Sequence, residues 1–437
     1  MSNEVSRRDI LRGSAAALAS LAVGKAVADS PIPQNPSGKF RVGLIGCGGQ
    51  GRGILGRAAQ SAEVVAICDV DAKARTETSL NYPRASAFDD YRVMLEAMKG
   101  RMDGVMIATP DHHHAPATLL ALKAGFHCYT EKPLTRSIWE TRELMKAAKN
   151  SRLQTQMGNQ STANTPMRKI AALVRSGHFG AVKEIHLWTD RPIWPQGVPK
   201  PASAVTPKIL DFDLWIGPRP DRTFAEGYHP FVWRGWWDFG TGALGDMGCH
   251  IFNMMHMAMN LKDPIAIQAE TSGHNKESFP SWSIVHYEFA GRGKNQPPFK
   301  LHWYDGGKKP DASLIPDVYK LGSNGGIIVC EKNTIFVPDG GNEVFYLTNG
   351  DEMPEVKVVE SPGHIQEWID AAQGKGPAPV SNFANYAGPL TETLLIGNLA
   401  IWANGPRLEW DAKRMKVKGT DEYNELIKPT SRPGWGI

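Results

Sequence analysis

Three short stretches of this chain carry residues whose types and spacing could do chemistry together. The first runs Gly43-Leu44-Ile45-Gly46-Cys47-Gly48-Gly49-Gln50-Gly51, with a G-x-G-x-x-G at Gly46, Gly48 and Gly51. The first glycine allows a tight turn, the second lets a pyrophosphate approach the backbone, and the third lets a helix pack closely on a strand. The second stretch comprises Thr109-Pro110-Asp111-His112-His113-His114 and, further on, Glu131-Lys132-Pro133. The third is Gly245-Asp246-Met247-Gly248-Cys249-His250, opening a helix that runs to about residue 259. Asp246 and His250 are four apart, so on a helix they share one face. A carboxylate beside an imidazole can orient it and support its positive form, as a general base needs. The plainer alternative is a capping Asp and a surface His. The glycines from Gly240 to Gly248 weigh against it, because they point to close backbone approach by a ligand or another element.

The elements that must position these residues follow from hydrophobic periodicity. Apolar strands at 40–45, 63–68, 104–108, 127–130 and 153–157 alternate with helical patterns at 51–60, 71–80, 115–124 and 137–148. Continuous apolar strands alternating with helices mean a parallel sheet covered on both faces. The glycine motif then follows one strand and opens a helix, and the next strand ends in Asp69, 23 residues after Gly46. That context turns a weak motif into a dinucleotide site. Gly46, Gly48, Gly49, Gln50 and Gly51 receive the pyrophosphate at the helix N-terminus, and Asp69 receives the adenosine ribose hydroxyls. Asp69 with Asp71 favours NAD, since a 2′-phosphate would meet negative charge. Lys73 and Arg75 stand near enough to leave NADP open.

The TPDHHH and EKP segments lie at the carboxyl ends of expected parallel strands, the edge where open α/β sheets bind ligands. Thr109, Pro110, His114, Glu131 and Lys132 are therefore expected beside the cofactor. A metal on the His triplet is not expected: adjacent side chains diverge, and no C-x-x-C or H-E-x-x-H accompanies them. One imidazole on the nicotinamide side of the cleft, with the others capping the following helix, fits better.

After about residue 180 the texture changes. Strands at 183–189, 265–271, 281–289, 299–304 and 326–337 follow one another without helices between them, which calls for an α+β domain with a mostly antiparallel sheet. The expected organisation is α/β. An N-terminal Rossmann doubly wound parallel sheet over 39–160 is followed by a second domain over 161–437. A late helical pattern covers 386–402. Between the first two strands of the second domain lies a long irregular excursion, 190–239, dense in Trp, Pro and Gly. A loop of that length inside a compact protein usually has a function.

Ahead of the fold the sequence reads Ser6-Arg7-Arg8-Asp9-Ile10-Leu11-Arg12, then an Ala/Leu-rich run and Ala26-Val27-Ala28. A basic start, an apolar stretch too short to span a bilayer and an A-x-A end describe a cleaved signal over 1–28. The Arg-Arg pair assigns it to the twin-arginine route, which carries folded proteins, with an ordinary secretory signal as the alternative. A Pro/Ser/Asn linker covers 29–38. Export to the periplasm or beyond is the expected localisation. Removing Arg7, Arg8, Arg12, Lys25, Glu4 and Asp9 takes the formal charge from +4 to +2. No basic cluster alternates with aromatics, which excludes a nucleic-acid partner. No further run reaches membrane-spanning length, so no membrane contact is expected after signal removal. Cys47, Cys68, Cys128, Cys249 and Cys330 are odd in number and lack metal spacing, as expected of free thiols from a reducing cytoplasm.

Together, the glycine motif, TPDHHHA, Glu131-Lys132-Pro133 and the Gly245–His250 helix start resemble the Gfo/Idh/MocA family of oxidoreductases, from about residue 40 to 405. The resemblance implies a Rossmann domain followed by an α/β domain with a large open sheet, and homodimers or homotetramers packed through it. It implies Lys132, Asp246 and His250 as the catalytic group. Lys132 would hydrogen-bond the reacting hydroxyl, and His250, oriented by Asp246, would take its proton as hydride passes to the nicotinamide. It also implies a cis Lys132–Pro133 peptide. Inositol dehydrogenase-like members carry an Asp shortly after the His, whereas Ile251-Phe252-Asn253 stands here, so the substrate's identity is left open.

The 190–240 segment holds Trp194, Trp215, Trp233, Trp236 and Trp237 with Tyr228, His229, Arg191 and Arg234. Aromatic faces with hydrogen-bonding neighbours suit sugar rings, and Trp233, Arg234, Trp236 and Trp237 are the expected substrate wall. Most of the tryptophans are expected to fill core. The expected function is NAD(P)-dependent transfer of hydride between a sugar or polyol alcohol and a tightly bound cofactor. An exported enzyme meets no pool of fresh NAD, so the cofactor must be regenerated in place. A glycoside hydrolase using transient sugar oxidation and elimination is the alternative. A cofactor-binding sensor or scaffold without catalysis is the second.

Overall fold

A computed structural model describes residues 38–340 and 343–436. The signal at 1–28 and the linker up to residue 37 lie outside the described residues.

Six parallel strands form the first sheet: β1 (Phe40–Ile45), β2 (Ala62–Cys68), β3 (Ser86–Phe88), β4 (Gly104–Ile107), β5 (His127–Thr130) and β6 (Thr155–Met157). Their spatial order is β3-β2-β1-β4-β5-β6. Val42 and Leu44 of β1 and Val105, Met106 and Ile107 of β4 are fully buried, which is why β1 from Val42 onward and all of β4 read as apolar runs. The order reverses between β1 and β4. A crevice therefore opens beyond their carboxyl ends, where Gly46 and Thr109 stand.

One helix starts earlier than its pattern indicates. It spans Asp111–Lys123, so His112, His113 and His114 occupy its first turn and are buried. The periodic signal was weak there because this helix is apolar nearly all round. The helix His364–Ala372, far along the chain, packs Trp368 and Ile369 into the core under β1, with Trp368 Nε1 donating to the Gln154 carbonyl at 3.3 Å.

The second sheet has nine strands: β7 (Val182–Thr189), β8 (Ala266–Thr271), β9 (Ser283–Phe289), β10 (Phe299–Tyr304), β11 (Asn324–Cys330), β12 (Thr334–Val337), β13 (Tyr346–Leu347), β14 (Leu408–Asp411) and β15 (Lys416–Val417). Their order is β13-β12-β11-β7-β10-β9-β8-β14-β15. Only β7 and β10 pair in parallel; the other pairings are antiparallel. The expected single strand over 326–337 is a hairpin, β11 and β12. It turns through Glu331-Lys332-Asn333, with the Cys330 N–H donating to the Asn333 carbonyl. Ile185, Leu187, Val285, Tyr287, Leu301 and Trp303 form one buried face. The helices Gly242–Ile251 and Gly388–Ala403 lie in the same core. Glycines let those two helices meet closely: a Cβ on Gly248 would stand 2.5 Å from Leu394 Cδ2. The glycine-rich helix start thus serves an approach by another element. All five cysteines are buried, and no described helix is long and apolar enough to cross a membrane.

Candidate active site

Two glycines of the loop, Gly46 and Gly51, sit in contacts that tolerate nothing larger. Gly46 has φ +92°, and a Cβ there would lie 2.5 Å from the Ala108 carbonyl oxygen; on Gly51 it would nearly coincide with the Gly46 carbonyl. Gly48 and Gly49 are different, since a Cβ on either would meet nothing within 4 Å. The helix they start, Gly49–Ala58, has no side-chain cap, so its first N–H groups point into open space. That cradle fits an anionic pyrophosphate. Asp69 lies at the end of β2 and is bound from two sides, by the Cys47 N–H at 2.6 Å and the Asp71 N–H at 2.8 Å. Burial raises its carboxyl above the ordinary range, against those two hydrogen bonds. Glu131, 5% exposed at the end of β5, accepts from Gln50 Nε2 at 3.0 Å and is likewise raised by burial.

A single cleft of about 530 Å³ runs from this cradle to the second domain, within the usual size of a cofactor or ligand pocket. Gly46, Gly48, Gly49, Gln50, Gly51, Asp69, Thr109, Pro110, His114, Glu131 and Lys132 all line it from the first domain. Trp233, Arg234 and His250 line it from the second. Lys132 follows β5, and its bond to Pro133 is cis. Its ammonium donates to Asp246 Oδ1 at 2.7 Å and to the Asp246 carbonyl at 2.9 Å. Asp246 Oδ1 also accepts from Arg234 Nε at 3.0 Å.

Burial would raise the Asp246 carboxyl, but Lys132 and Arg234 hold it well below the usual carboxylate range. Burial brings His250 down to about 4; the Lys132 ammonium pushes the same way and Asp246 opposes. At neutral pH the Asp246 carboxyl is therefore ionised and shared between Lys132 and Arg234, and the His250 imidazole lining the cleft is neutral and able to accept a proton. Behind them Asp111 is 2% exposed and accepts from Thr241 Oγ1 at 2.7 Å; burial brings it up to about 7.

Two expected substrate-wall residues stand elsewhere. Trp236 is buried in a cluster with Trp215, Tyr228 and Phe239, its Nε1 donating to the Gly227 carbonyl at 2.6 Å. Trp237 stacks on Phe279 with centroids 3.6 Å apart and donates to the Ser278 carbonyl. The turn at Val232–Gly235 ends just before them and directs both indoles into core, while Trp233 stays at the cleft with the Arg234 guanidinium 4.2 Å above its ring.

Within the His triplet, His113 and His114 line the cleft, and none caps the helix, inside which all three lie. His112 and His113 approach the Trp215 carbonyl through Nε2, at 2.8 and 2.9 Å, and so bind the two domains together. His114 bridges the carbonyls of Pro133 and Thr109. Sequence reasoning missed Gln160 and Trp435 as lining residues. Neither carries a local signal: Trp435 reaches the cleft from more than three hundred positions beyond the glycine loop.

The family model described as "Oxidoreductase family, NAD-binding Rossmann fold" matches residues 40–159, and that described as "Oxidoreductase family, C-terminal alpha/beta domain" matches 163–295. The chain belongs to the Gfo/Idh/MocA oxidoreductase family. Its cofactor is NAD. A Glycosyl hydrolase family 109 protein of Saccharopolyspora erythraea is 30% identical over 208 residues, covering 41% of this chain and 45% of that one. The D-glucoside 3-dehydrogenase of Escherichia coli is 36% identical over 87 residues, 20% of this chain and 24% of that one. The matched stretches thus span less than half of these curated relatives. The WlbA dehydrogenase of Bordetella pertussis, solved with NADH and UDP-GlcNAcA, shares the fold with a TM-score of 0.61 at 17% identity, covering 85% of this chain and 99% of that one.

Asp69 holds the glycine loop through the Cys47 N–H and also lines the cleft. We expect Asp69→Ala to weaken NAD binding by about tenfold or more, because hydrogen bonds to a charged group are worth about 1.5–3 kcal/mol. Titration of stripped protein with NAD by calorimetry checks this. An unchanged affinity would mean that the adenosine end is read elsewhere.

Proposed function

We propose that this protein transfers hydride between a secondary alcohol of a sugar or polyol and a tightly held NAD(H). The observation that carries the reading is that Lys132 and His250 both line the cleft that begins at the glycine cradle, with Asp246 bound to Lys132 behind it. Bound there, the dinucleotide supplies the hydride acceptor or donor. Lys132 lends a proton of its ammonium to the reacting oxygen and stabilises developing alkoxide. His250, neutral at working pH, accepts the hydroxyl proton. Asp246 holds the Lys132 ammonium in place, and Trp233 with Arg234 offers an apolar face and a hydrogen-bonding fork to the sugar. Asp69 and Asp71 favour NAD over NADP at this site.

The relatedness to Glycosyl hydrolase family 109 proteins favours a second reading. In it, oxidation of a sugar carbon acidifies the neighbouring C–H, elimination expels the aglycone as its alcohol, water adds to the resulting unsaturated ketone, and hydride return to the carbonyl restores both the sugar and the cofactor. One experiment separates the readings. The natively purified protein is mixed with sugars, polyols and glycosides while the reduced-nicotinamide absorbance band is followed and products are analysed. A lasting change in the band supports oxidoreduction. Glycoside cleavage with no net change supports the hydrolytic cycle. Neither response, with NAD bound, leaves a sensor or scaffold and sinks both enzymatic readings.

Export with the cofactor loaded belongs to the same proposal, supported by Arg7-Arg8 and Ala26-Val27-Ala28. So does assembly as a homodimer or homotetramer through the sheet face that carries His186, His286 and His302, supported by the family resemblance.

A further inference from the structure

The wall of the cleft facing Asp69 and Asp71 comes from outside the nucleotide-binding domain. It is built by Trp215, His229 and Phe231 of the long excursion after β7 and by Trp435 near the C-terminus. Two sets of contacts fasten the excursion across the cleft. At one edge, residues 209–211 run beside the end of β2. The Ala72 N–H donates to the Ile209 carbonyl at 2.8 Å, the Asp211 N–H donates to the Val70 carbonyl at 3.1 Å, and Asp71 and Leu210 form an antiparallel bridge. At the other edge the Trp215 carbonyl is held by His112 and His113.

Over the cleft itself, His229 Nε2 meets Asp71 Oδ2 at 3.0 Å. Asp71 is prepared for this contact, because its other oxygen caps the helix Ala72–Asn81 through the N–H groups of Lys73 and Ala74. Burial would raise its carboxyl, yet the bonds from His229, Ala74 and Lys73 bring it below the ordinary range. The C-terminal tail closes the end. Arg432 binds Asp213, Asp221 and the Gly217 carbonyl of the excursion. Trp435, 7% exposed, packs on Tyr91 and His113, with the Arg92 guanidinium 4.0 Å from its ring centre.

We propose that residues 209–231 and the C-terminal tail form a strap that retains the dinucleotide, with His229–Asp71 as its latch and Trp435 as its end stop. The inference rests on the reading of the cleft as an NAD site and adds to it the residues that keep NAD resident. Dissociation then requires the latch and the tail packing to open, so the cofactor behaves as a fixed group. A protein that works away from a supply of fresh cofactor needs that behaviour.

The test uses the full-length protein and needs no sugar substrate. Bound NAD(H) is quantified by acid extraction after gel filtration, and its release is timed by exchange against isotopically labelled NAD. Wild type should carry near-stoichiometric NAD(H) and exchange slowly. His229→Ala should exchange about ten- to a hundredfold faster, the range expected for losing a hydrogen bond to a charged group. Trp435→Ala should do the same, and His229→Gln, which keeps a donor toward Asp71, should recover most of the retention.

Near-UV circular dichroism reports folding of each variant. If His229→Ala fails to fold, Trp435→Ala decides. Folded variants that hold NAD as long as wild type overturn the strap, as does a wild type that binds NAD but exchanges it within seconds. A wild type that neither carries nor binds NAD overturns the cofactor reading beneath it, a distinct result.

Discussion

Lys132→Met and His250→Ala each lower turnover by about 10²–10⁴, the usual range for losing one positioned proton donor or acceptor. NAD stays bound in both, because the glycine cradle and Asp69 do not depend on either side chain. The His250 effect carries a pH signature. The imidazole must be neutral to accept the hydroxyl proton, and burial next to Lys132 brings it down to about 4. The acid limb of kcat/KM for alcohol oxidation therefore lies near that value, and the profile is flat from about pH 5 into the neutral range. An acid limb near the ordinary histidine value, about 6.5, would show that His250 is not the group that titrates. Full turnover in Lys132→Met would remove the ammonium from the mechanism.

Asp246→Ala has the largest expected effect on stability. Asp246 is the carboxylate that serves both Lys132 and Arg234, with side-chain exposures of 12% against 15% and 21%. Removing one member of a mostly buried ion pair leaves an uncompensated charge and costs about 3–5 kcal/mol. The sign of the pH dependence follows from the depressed carboxyl of Asp246. Its contribution is complete above the unfolded value of about 3.9 and is lost as pH falls through the lower folded value. Urea melts at pH 7 should show the full loss, and the gap from wild type should shrink in strong acid. In the background Lys132→Met, the same Asp246→Ala change should cost less, since one of the two stranded cations is gone. Additive costs would mean that Lys132 and Asp246 are not coupled.

Much of this is legible in the sequence. The parallel strands declare themselves because burial on both faces demands apolar runs, as in β1 from Val42 onward and throughout β4. The glycine loop was legible because its constraints are local: Gly46, Gly48, Gly49 and Gly51 and the end of β2 lie within one strand-helix-strand unit. Asp246 and His250 were placed on one face by helical spacing alone.

What the spacing could not reveal is which partner each side chain takes, because those partners arrive from other elements. Asp246 was expected to serve His250, and folding brings Lys132 and Arg234 onto its carboxylate. The helix start at Asp111 depended on the Trp215 carbonyl, a hundred positions away, which receives two of its imidazoles. The tryptophans at 233, 236 and 237 look alike in sequence, and only packing against Arg234, Phe239 and Phe279 separates a cleft wall from two core fillers.

Short-range sterics and periodicity in the sequence set the alternation of strands and helices and the cofactor cradle and put Asp246 and His250 on one helix face, while the roles of Lys132, Asp246 and His250 came from the family resemblance. The tertiary structure alone decided that the groups share one cleft and that a distant excursion and the C-terminal Trp435 enclose it. Contacts across hundreds of residues are set by which buried surfaces fit together, and no local pattern encodes that fit.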